Sequence, residues 1–260
     1  MLNTTAIGKE FTINNKFIES FYPFDASTLK VFKEAFPLGV KVSEIPKVRP
    51  VLMPIIGDGE YAVFIMCLLD ALPRNKIPLK ITGNEIQDID DLFYNGDIVI
   101  EGDVNLIDTQ VHLMGNLTVS GKLTVSGTGY IQSRDIKNIV SATEINLNDN
   151  AMICASLDTE KLNMAGESII ASANKIDTVN MYDYSIIHIC TDVNNLNMFD
   201  NAKITTRLKV NIARLAGGEI FSELEANAIY NTGCLIQNNV YAKIIENTGK
   251  GKILGAIKCN

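Results

Sequence analysis

Two aspartates, Asp183 and Asp200, have the type and spacing of a catalytic pair. If the chain completes one coil between them, their carboxylates lie about one strand spacing apart, roughly 5 Å. That separation suits a retaining glycosidase, in which one carboxylate is the nucleophile and the other the acid and base. Aspartate is also common in tight turns for backbone reasons alone. The charged, aromatic and basic groups that polysaccharide enzymes need are not evident around the pair. A carbohydrate-active enzyme is therefore an alternative hypothesis.

Other signatures of catalysis are missing. The chain has only two histidines, His112 and His188, far apart and each in a strand-like segment, which is typical of structural histidines. It contains no nucleophile elbow, P-loop or HExxH motif. The "TGKGK" at Thr248–Lys252 lacks the preceding spacing of a phosphate loop and indicates a turn. We predict no catalytic residues, no metal site and no cofactor.

Four asparagines recur every 17 residues, at Asn146, Asn163, Asn180 and Asn197. On stacked coils they predict a structural amide ladder, in which each side chain donates to the carbonyl oxygen of the next coil. The alternative is a flat polar strip that binds a partner or a glycan.

A second cluster lies at a predicted turn on two adjacent coils. Its members are Tyr182, Asp183, Tyr184, Phe199 and Asp200. Exposed aromatic side chains next to acids are typical of a recognition patch, although aromatic residues at turns can also simply pack on one another. This patch is our candidate binding site.

Apolar residues recur with the same 17-residue period, each in a column of equivalent positions, and these columns predict the elements that position the residues above. A period of 16–17 residues with strand-like segments and no helix predicts a mainly β protein built as a parallel β-solenoid. The six-residue repeat that is typical of left-handed parallel β-helices is absent outside residues 116–127. Its absence favours a right-handed coil. From "IYNTG" at Ile229 to "IENTG" at Ile245 the period shortens to 16. The inward columns are Ile145, Leu162, Val179, Leu196; Leu147, Met164, Met181, Met198, Leu215; Ala151, Ser168, Ser185, Ala202; Ile153, Ile170, Ile187, Ile204, Phe221; and Ile176, Val193, Val210.

The first 94 residues predict a small α/β unit that caps the β-helix of residues 95–260, which would have about nine coils. Asp25 is placed to cap a helix over Ala26–Phe36, Val51–Ile56 predicts a buried strand, and a strongly apolar helix is expected from Asp58 to about Leu72. Such a cap would cover strand edges that otherwise pair with another chain.

Charge and composition exclude some partners and favour a location. The net charge is −7 and neither part of the chain is basic, so a nucleic-acid surface is not expected. The five cysteines form no CxxC pair, which favours a reducing compartment. The start lacks the features of a signal peptide, and the longest apolar run, Tyr61–Leu69, is too short to span a bilayer. We expect a cytoplasmic protein without a membrane span.

The stretch "NGDIVIEGDVNL" from Asn95 and the apolar rhythm of Ile145–Phe221 resemble bactofilins, the polymer-forming cytoskeletal proteins of bacteria. The resemblance covers Asn95–Cys259 and implies a non-enzymatic β-helix. Bactofilins usually carry short flexible tails, whereas this chain begins with about 95 residues that look folded. A cap formed by those residues would block polymerisation at one end.

Three functions remain open from the sequence. The leading hypothesis is a non-enzymatic binding or assembly protein that recognises a protein partner or associates with itself. The alternatives are a bacterial immunity or effector protein that binds one target through its acidic face, and the carbohydrate-active enzyme.

Overall fold

From Leu79 onwards the chain alternates buried and exposed residues along short strands that are joined by tight turns. The computed structural model describes residues 12–13, 15–41, 44–70, 76–86, 91–133, 135 and 137–259. The chain is 52% strand, and its parallel sheet stacks as a β-solenoid of about 10 turns with about 17 residues per coil. The predicted fold class is therefore confirmed.

The elements have the following bounds. The N-terminal part contains β1 (Thr12–Ile13), α1 (Asn15–Phe21), α2 (Ala26–Ala35), β2 (Val40–Lys41) and α3 (Ile45–Asp70). The solenoid contains β3 (Leu79–Thr82), a 3-10 turn (Gly83–Glu85), β4 (Asp91–Tyr94), β5 (Ile98–Glu101), β6 (Val104–Ile107), β7 (Gln110–Leu113), β8 (Leu117–Val119), β9 (Lys122–Ser126), β10 (Tyr130–Ser133), β11 (Ile139–Leu147), β12 (Met152–Met164), β13 (Ile169–Met181), β14 (Ile186–Met198), β15 (Lys203–Ile204), β16 (Leu208–Leu215), β17 (Glu219–Ile220), β18 (Leu224–Asn231), β19 (Leu235–Ile236), β20 (Val240–Asn247), β21 (Lys252–Ile253) and β22 (Ile257–Cys259).

Each full coil passes through three faces of the solenoid, and on each face the strands of successive coils pair in parallel. In the coil that contains β12, face C includes Ile153, face A includes Leu157 and face B includes Leu162, and each residue pairs with its equivalent in β13. We call the turn that leads from face A to face B the A–B corner, and the turn from face B to face C the B–C corner. The three long strands β12, β13 and β14 each run continuously through all three faces.

The coil length changes along the rod. Leu79 pairs with Ile98 and Ile98 with Leu117, a spacing of 19 residues. The central coils have the predicted spacing of 17, as in the pairing of Leu162 with Val179. The parallel pairing begins at β3, before the predicted boundary at Asn95, so the solenoid contains one more coil than we expected.

The placement of Phe221 in an inward column is wrong. Ile204 pairs with Ile220, which is fully buried, whereas Phe221 is 36% exposed. The cause is a shorter B–C corner, because the three residues 216–218 take the place of the four residues 199–202 of the preceding coil. The spacing is therefore 16 from the Lys203–Glu219 pair to the Asn231–Asn247 pair, and it returns to 17 at the Leu235–Lys252 pair.

All other residues of the predicted inward columns are buried, and the apolar ones form one continuous core. Ile145, Leu162, Val179 and Leu196 are all 0% exposed, as are the four isoleucines from Ile153 to Ile204. This core extends from Leu79 to Ala242. Because each coil contacts mainly its two neighbours, the core is a stack of apolar layers, which is typical of repeat proteins.

The prediction of α2 is confirmed, and that of a strand at Val51–Ile56 is wrong. The Asp25 carboxylate accepts hydrogen bonds from the backbone N–H groups of Ser27 (2.8 Å) and Thr28 (2.9 Å) and so caps α2. Residues 51–56 belong to α3 instead. Pro50 and Pro54 lie within this helix and are both exposed. Each lacks the N–H that would bond the carbonyl four residues earlier in the helix.

Gly57, with φ of 78°, interrupts α3 between two helical halves. Only glycine adopts this backbone conformation without strain. The second half corresponds to the predicted apolar helix as far as Asp70, and residues 71 and 72 lie outside the described residues. No helix in the described ranges is long and apolar enough to cross a membrane.

The N-terminal helices have their own core and contact the solenoid at its first coils. Met114, which follows β7, packs against the helical core. His112 on β7 points away from the solenoid core, which its neighbours Val111 and Leu113 join, yet it is 0% exposed. Burial and the positive charge of Arg49 on α3 lower the pKa of His112 to about 3. The idea that this unit also covers the end of the first coil remains a prediction.

Candidate functional site

The four predicted asparagines form a continuous ladder on face B. The side-chain Nδ2 of Asn163 donates to Oδ1 of Asn146 (2.7 Å), that of Asn180 to Asn163 (2.8 Å), and that of Asn197 to Asn180 (2.8 Å). Each amide donates to the preceding coil, which is opposite to the direction we expected. All four side chains are half-buried, and the ladder ends at Arg214, which pairs with Asn197 in the next coil.

A second ladder, which our sequence reasoning missed, runs along the A–B corner. Asn194 donates to Asp177 (2.9 Å), Asn211 to Asn194 (2.6 Å) and Asn227 to Asn211 (2.7 Å). The spacings of 17, 17 and 16 residues were visible in the sequence. The repeat was not recognised because its first member is an aspartate and its last asparagine follows the shortened coil.

In each ladder a carboxylate accepts a hydrogen bond near the end towards which the amide N–H groups point. Asn163 also donates to the carboxylate of Glu144 (3.1 Å), and Asp177 is the terminal acceptor of the second ladder. The hydrogen bonds from Asn194 and Thr178 lower the pKa of Asp177. Aligned amide dipoles favour a negative charge at their N–H end, as they do at a helix N-terminus. Glu144 also forms ion pairs with Lys122 (3.4 Å) and Lys161 (3.9 Å), so among the described residues only the ladder that ends at Asp177 has a carboxylate without an ion pair at its N–H end.

We expect Asn180→Ala to destabilise the solenoid about twice as much as Asn197→Ala. Asn180 both donates to Asn163 and accepts from Asn197, whereas the amide of Asn197 makes only the bond to Asn180 within the described residues. At roughly 1 kcal/mol for each hydrogen bond, the losses in free energy of unfolding are about 2 and about 1 kcal/mol. Urea denaturation followed by circular dichroism measures both values.

The matched control is Asn201→Ala, an exposed asparagine at the B–C corner whose side chain forms no hydrogen bond with a described residue. We expect this change to be within about 0.5 kcal/mol of neutral. Equal losses for all three variants would show that the ladder contributes nothing beyond the loss of an asparagine.

The B–C corner is built by aspartates in a left-handed conformation. Asp149, Asp183 and Asp200 have φ of 59°, 55° and 53°, a region that asparagine and aspartate enter more readily than most residues. Their Oδ2 atoms accept hydrogen bonds from the preceding coil: Asp149 from the N–H of Gly127 (3.0 Å), Asp183 from Gly166 (3.0 Å) and Asp200 from Asp183 (3.4 Å). Each carboxylate therefore has a structural role at the turn.

An exposed aromatic stack lies beside these aspartates. The rings of Tyr182 and Phe199 are parallel within 4°, and their centroids are 4.9 Å apart. Tyr182 is 39% exposed, Phe199 is half-buried, and the nearby Tyr184 is 58% exposed. The structure thus brings the five predicted patch residues together on one surface, which we call the aromatic corner: Tyr182, Asp183, Tyr184, Phe199 and Asp200.

The B–C corner on which the aromatic corner lies is acidic. The four turns at residues 148–151, 165–168, 182–185 and 199–202 contain four carboxylates and no lysine or arginine. These carboxylates belong to Asp149, Glu167, Asp183 and Asp200; all are exposed, and none forms an ion pair with a described residue. A ligand at this surface meets uncompensated negative charge.

The remaining candidates for chemistry are scattered. His188 is exposed, and its Nδ1 lies 2.8 Å from Oγ1 of Thr205, on a coil distant from His112. The described cysteines form no disulfide, and burial raises the pKa of both Cys190 and Cys234 to about 12. Within the described ranges, no group of three or more His, Cys, Asp or Glu side chains is arranged to hold a metal ion.

Comparison with protein-family models, curated proteins and solved structures found no match to this chain.

Proposed function

We propose that this protein is a non-enzymatic interaction scaffold, a rod-like solenoid that binds a protein partner at the aromatic corner. The observation that supports it is the exposed, parallel stack of Tyr182 and Phe199. Exposed aromatic residues that cluster on one surface are typical of protein-binding sites.

The fold itself does not require these rings. The equivalent positions in the flanking coils are Ala165 and Ala216, whose backbone N–H groups bond to the preceding coil in the same way as those of Tyr182 and Phe199. The same turn holds alanine in the two outer coils. Its backbone geometry therefore does not require an aromatic side chain in the two coils between them. Binding supplies a reason for the aromatic side chains that turn geometry does not.

The glycosidase alternative is less well supported. Asp183 and Asp200 each accept a backbone N–H through Oδ2, and both side chains are exposed. The acid of such a pair is typically held in a largely buried, apolar environment, and neither of these exposed carboxylates lies in one. A non-enzymatic role also agrees with the resemblance of the solenoid to bactofilins.

We expect the double variant Tyr182→Ala/Phe199→Ala to lose a partner that the wild-type protein retains. Removal of two central aromatic contacts typically costs about 2 kcal/mol or more each, which together correspond to a fall in affinity of roughly 700-fold or more. The measurement is affinity capture from cells that express the chain, followed by titration of the purified partner. Because alanine occupies the flanking coils, the variant is expected to remain folded.

The matched control is Phe221→Ala, which removes an exposed aromatic side chain elsewhere on the rod. This variant should bind the partner as the wild type does. A partner that binds the wild type and the double variant equally would remove the aromatic corner from the proposed function.

A further inference from the structure

We infer that the aromatic corner binds a basic segment whose arginine side chains stack on the Tyr182–Phe199 pair and pair with the adjacent carboxylates. This inference rests on the proposed function and names the chemistry of the partner. It follows from the geometry of the ring pair and from the position and charge of the carboxylates beside it.

The ring pair leaves two aromatic faces without a stacking partner. Because the rings are parallel and lie on successive coils, the outer face of Phe199 turns towards the coil of Ala216, and that of Tyr182 towards the coil of Ala165. Ala216 is exposed and Ala165 is half-buried. A methyl group fills little of the space that an aromatic side chain would occupy, so a planar group can enter there.

The carboxylates around these faces retain free acceptor capacity. In Asp149, Asp183 and Asp200 the Oδ2 atom accepts the backbone hydrogen bond, while Oδ1 accepts none from the described residues. The backbone bonds hold the carboxylates in place at the corner. Fixed acceptors next to an aromatic face form a site for a donor that is both flat and positively charged.

Arginine meets both requirements. Its guanidinium is planar, remains charged at all physiological pH values, stacks on aromatic rings and donates to carboxylates in a fixed geometry. A neutral ring would leave the four carboxylates uncompensated, and the ammonium of lysine cannot stack as a plane. The acidity of the corner therefore favours an arginine-bearing segment over an apolar one.

The dimensions also specify the spacing of two arginines. Two stacking distances of roughly 3.5 Å added to the 4.9 Å between the ring centroids place groups on the two outer faces about 12 Å apart. An extended chain rises about 3.3 Å per residue, so arginines four positions apart span about 13 Å. The motif that fits is Arg-x-x-x-Arg.

The test uses a synthetic peptide, acetyl-Gly-Arg-Gly-Ser-Gly-Arg-Gly-amide, titrated into the full-length isotope-labelled protein at low salt. Two matched peptides carry citrulline, which is planar but neutral, or lysine in place of both arginines. We expect shifts of the backbone amide signals at residues 165–167, 182–184, 199–201 and 216. We also expect binding at least about tenfold weaker for the citrulline peptide, since each 1.4 kcal/mol of lost interaction is a factor of ten.

Variants locate the interaction. Tyr182→Ala/Phe199→Ala should abolish the shifts, and Asp183→Asn/Asp200→Asn should weaken binding several-fold, because asparagine retains the turn and its backbone acceptor but loses the charge. Glu160→Gln, which neutralises an exposed acid before face B, is the control and should leave binding unchanged.

Equal binding of the citrulline or lysine peptide, or no binding of the arginine peptide, would overturn the inference. If the arginine peptide fails while the natural partner is still lost from Tyr182→Ala/Phe199→Ala, the scaffold function stands and only the assignment of arginine is wrong. If the natural partner binds that variant normally, the proposed function itself is wrong.

Discussion

Replacing Leu196 with aspartate is expected to unfold the central coils of the solenoid. Leu196 is fully buried and lies between Val179 and Ala213 of the neighbouring coils. An unpaired carboxylate in that core costs several kcal/mol, in addition to the lost apolar contacts. This is a large share of the 5–15 kcal/mol that typically stabilises a domain. Circular dichroism in urea should show an early first transition, and hydrogen exchange should show loss of protection from β13 to β16.

The control is the adjacent residue on the same strand. Asn195 points outwards and its Oδ1 accepts a hydrogen bond from the Arg214 guanidinium (3.3 Å), so Asn195→Asp keeps an acceptor there and places a charge beside a cation. We expect its free energy of unfolding to stay within about 0.5 kcal/mol of the wild type. Similar denaturation curves for Leu196→Asp and Asn195→Asp would contradict the inward orientation of the column.

Acid is expected to destabilise the junction between the N-terminal helices and the solenoid through His112. The pKa of His112 is about 3 in the folded protein, against about 6.5 when unfolded. Between these values the unfolded chain binds a proton that the folded protein does not, so stability falls as the pH drops. The loss reaches roughly 2 kcal/mol by pH 5 and continues to grow until about pH 3.

His112→Gln isolates this contribution, because glutamine does not titrate. The free energy of unfolding of the wild type should decrease more steeply between pH 7 and pH 4 than that of the variant, in parallel urea titrations. Hydrogen exchange at pH 5 should show the earliest loss of protection in α3, where Arg49 adds repulsion to a protonated His112. Parallel pH profiles for the two proteins would rule out His112 as the source of acid sensitivity.

The solenoid was predictable because its sequence obeys two periods at once. Alternation places Leu162 and Met164 inside with Asn163 outside, and the 17-residue repeat places each beside its equivalent in the next coil. Few other folds satisfy both constraints over so many residues. The members of the aromatic corner were predictable for the same reason, since residues in equivalent positions on successive coils must lie together.

The failures arose where local signals conflict with tertiary structure. Val51–Ile56 is a short apolar run, which a buried strand also shows, but Val48 and Leu52 lie one helical turn apart and are both fully buried on one side of the helix. Phe221 was placed one position away from the true inward residue because the preceding corner is one residue shorter, and the residue types at that corner do not reveal its length. The open oxygens of the corner aspartates could not be predicted, since they depend on which backbone N–H each carboxylate meets.

The tolerance of the corners has an evolutionary consequence. The corner between Leu215 and Glu219 is one residue shorter than that of the preceding coil, yet the strands still pair on every face. An insertion within face B would instead reverse the inward or outward direction of every later side chain of that strand. Length changes are therefore accepted only at corners, and whole coils can be copied as cassettes. A duplicated 17-residue segment would lengthen the rod by about 4.8 Å and add one rung to its ladder. A protein of this design can change its length by gene duplication alone, without redesign of its core.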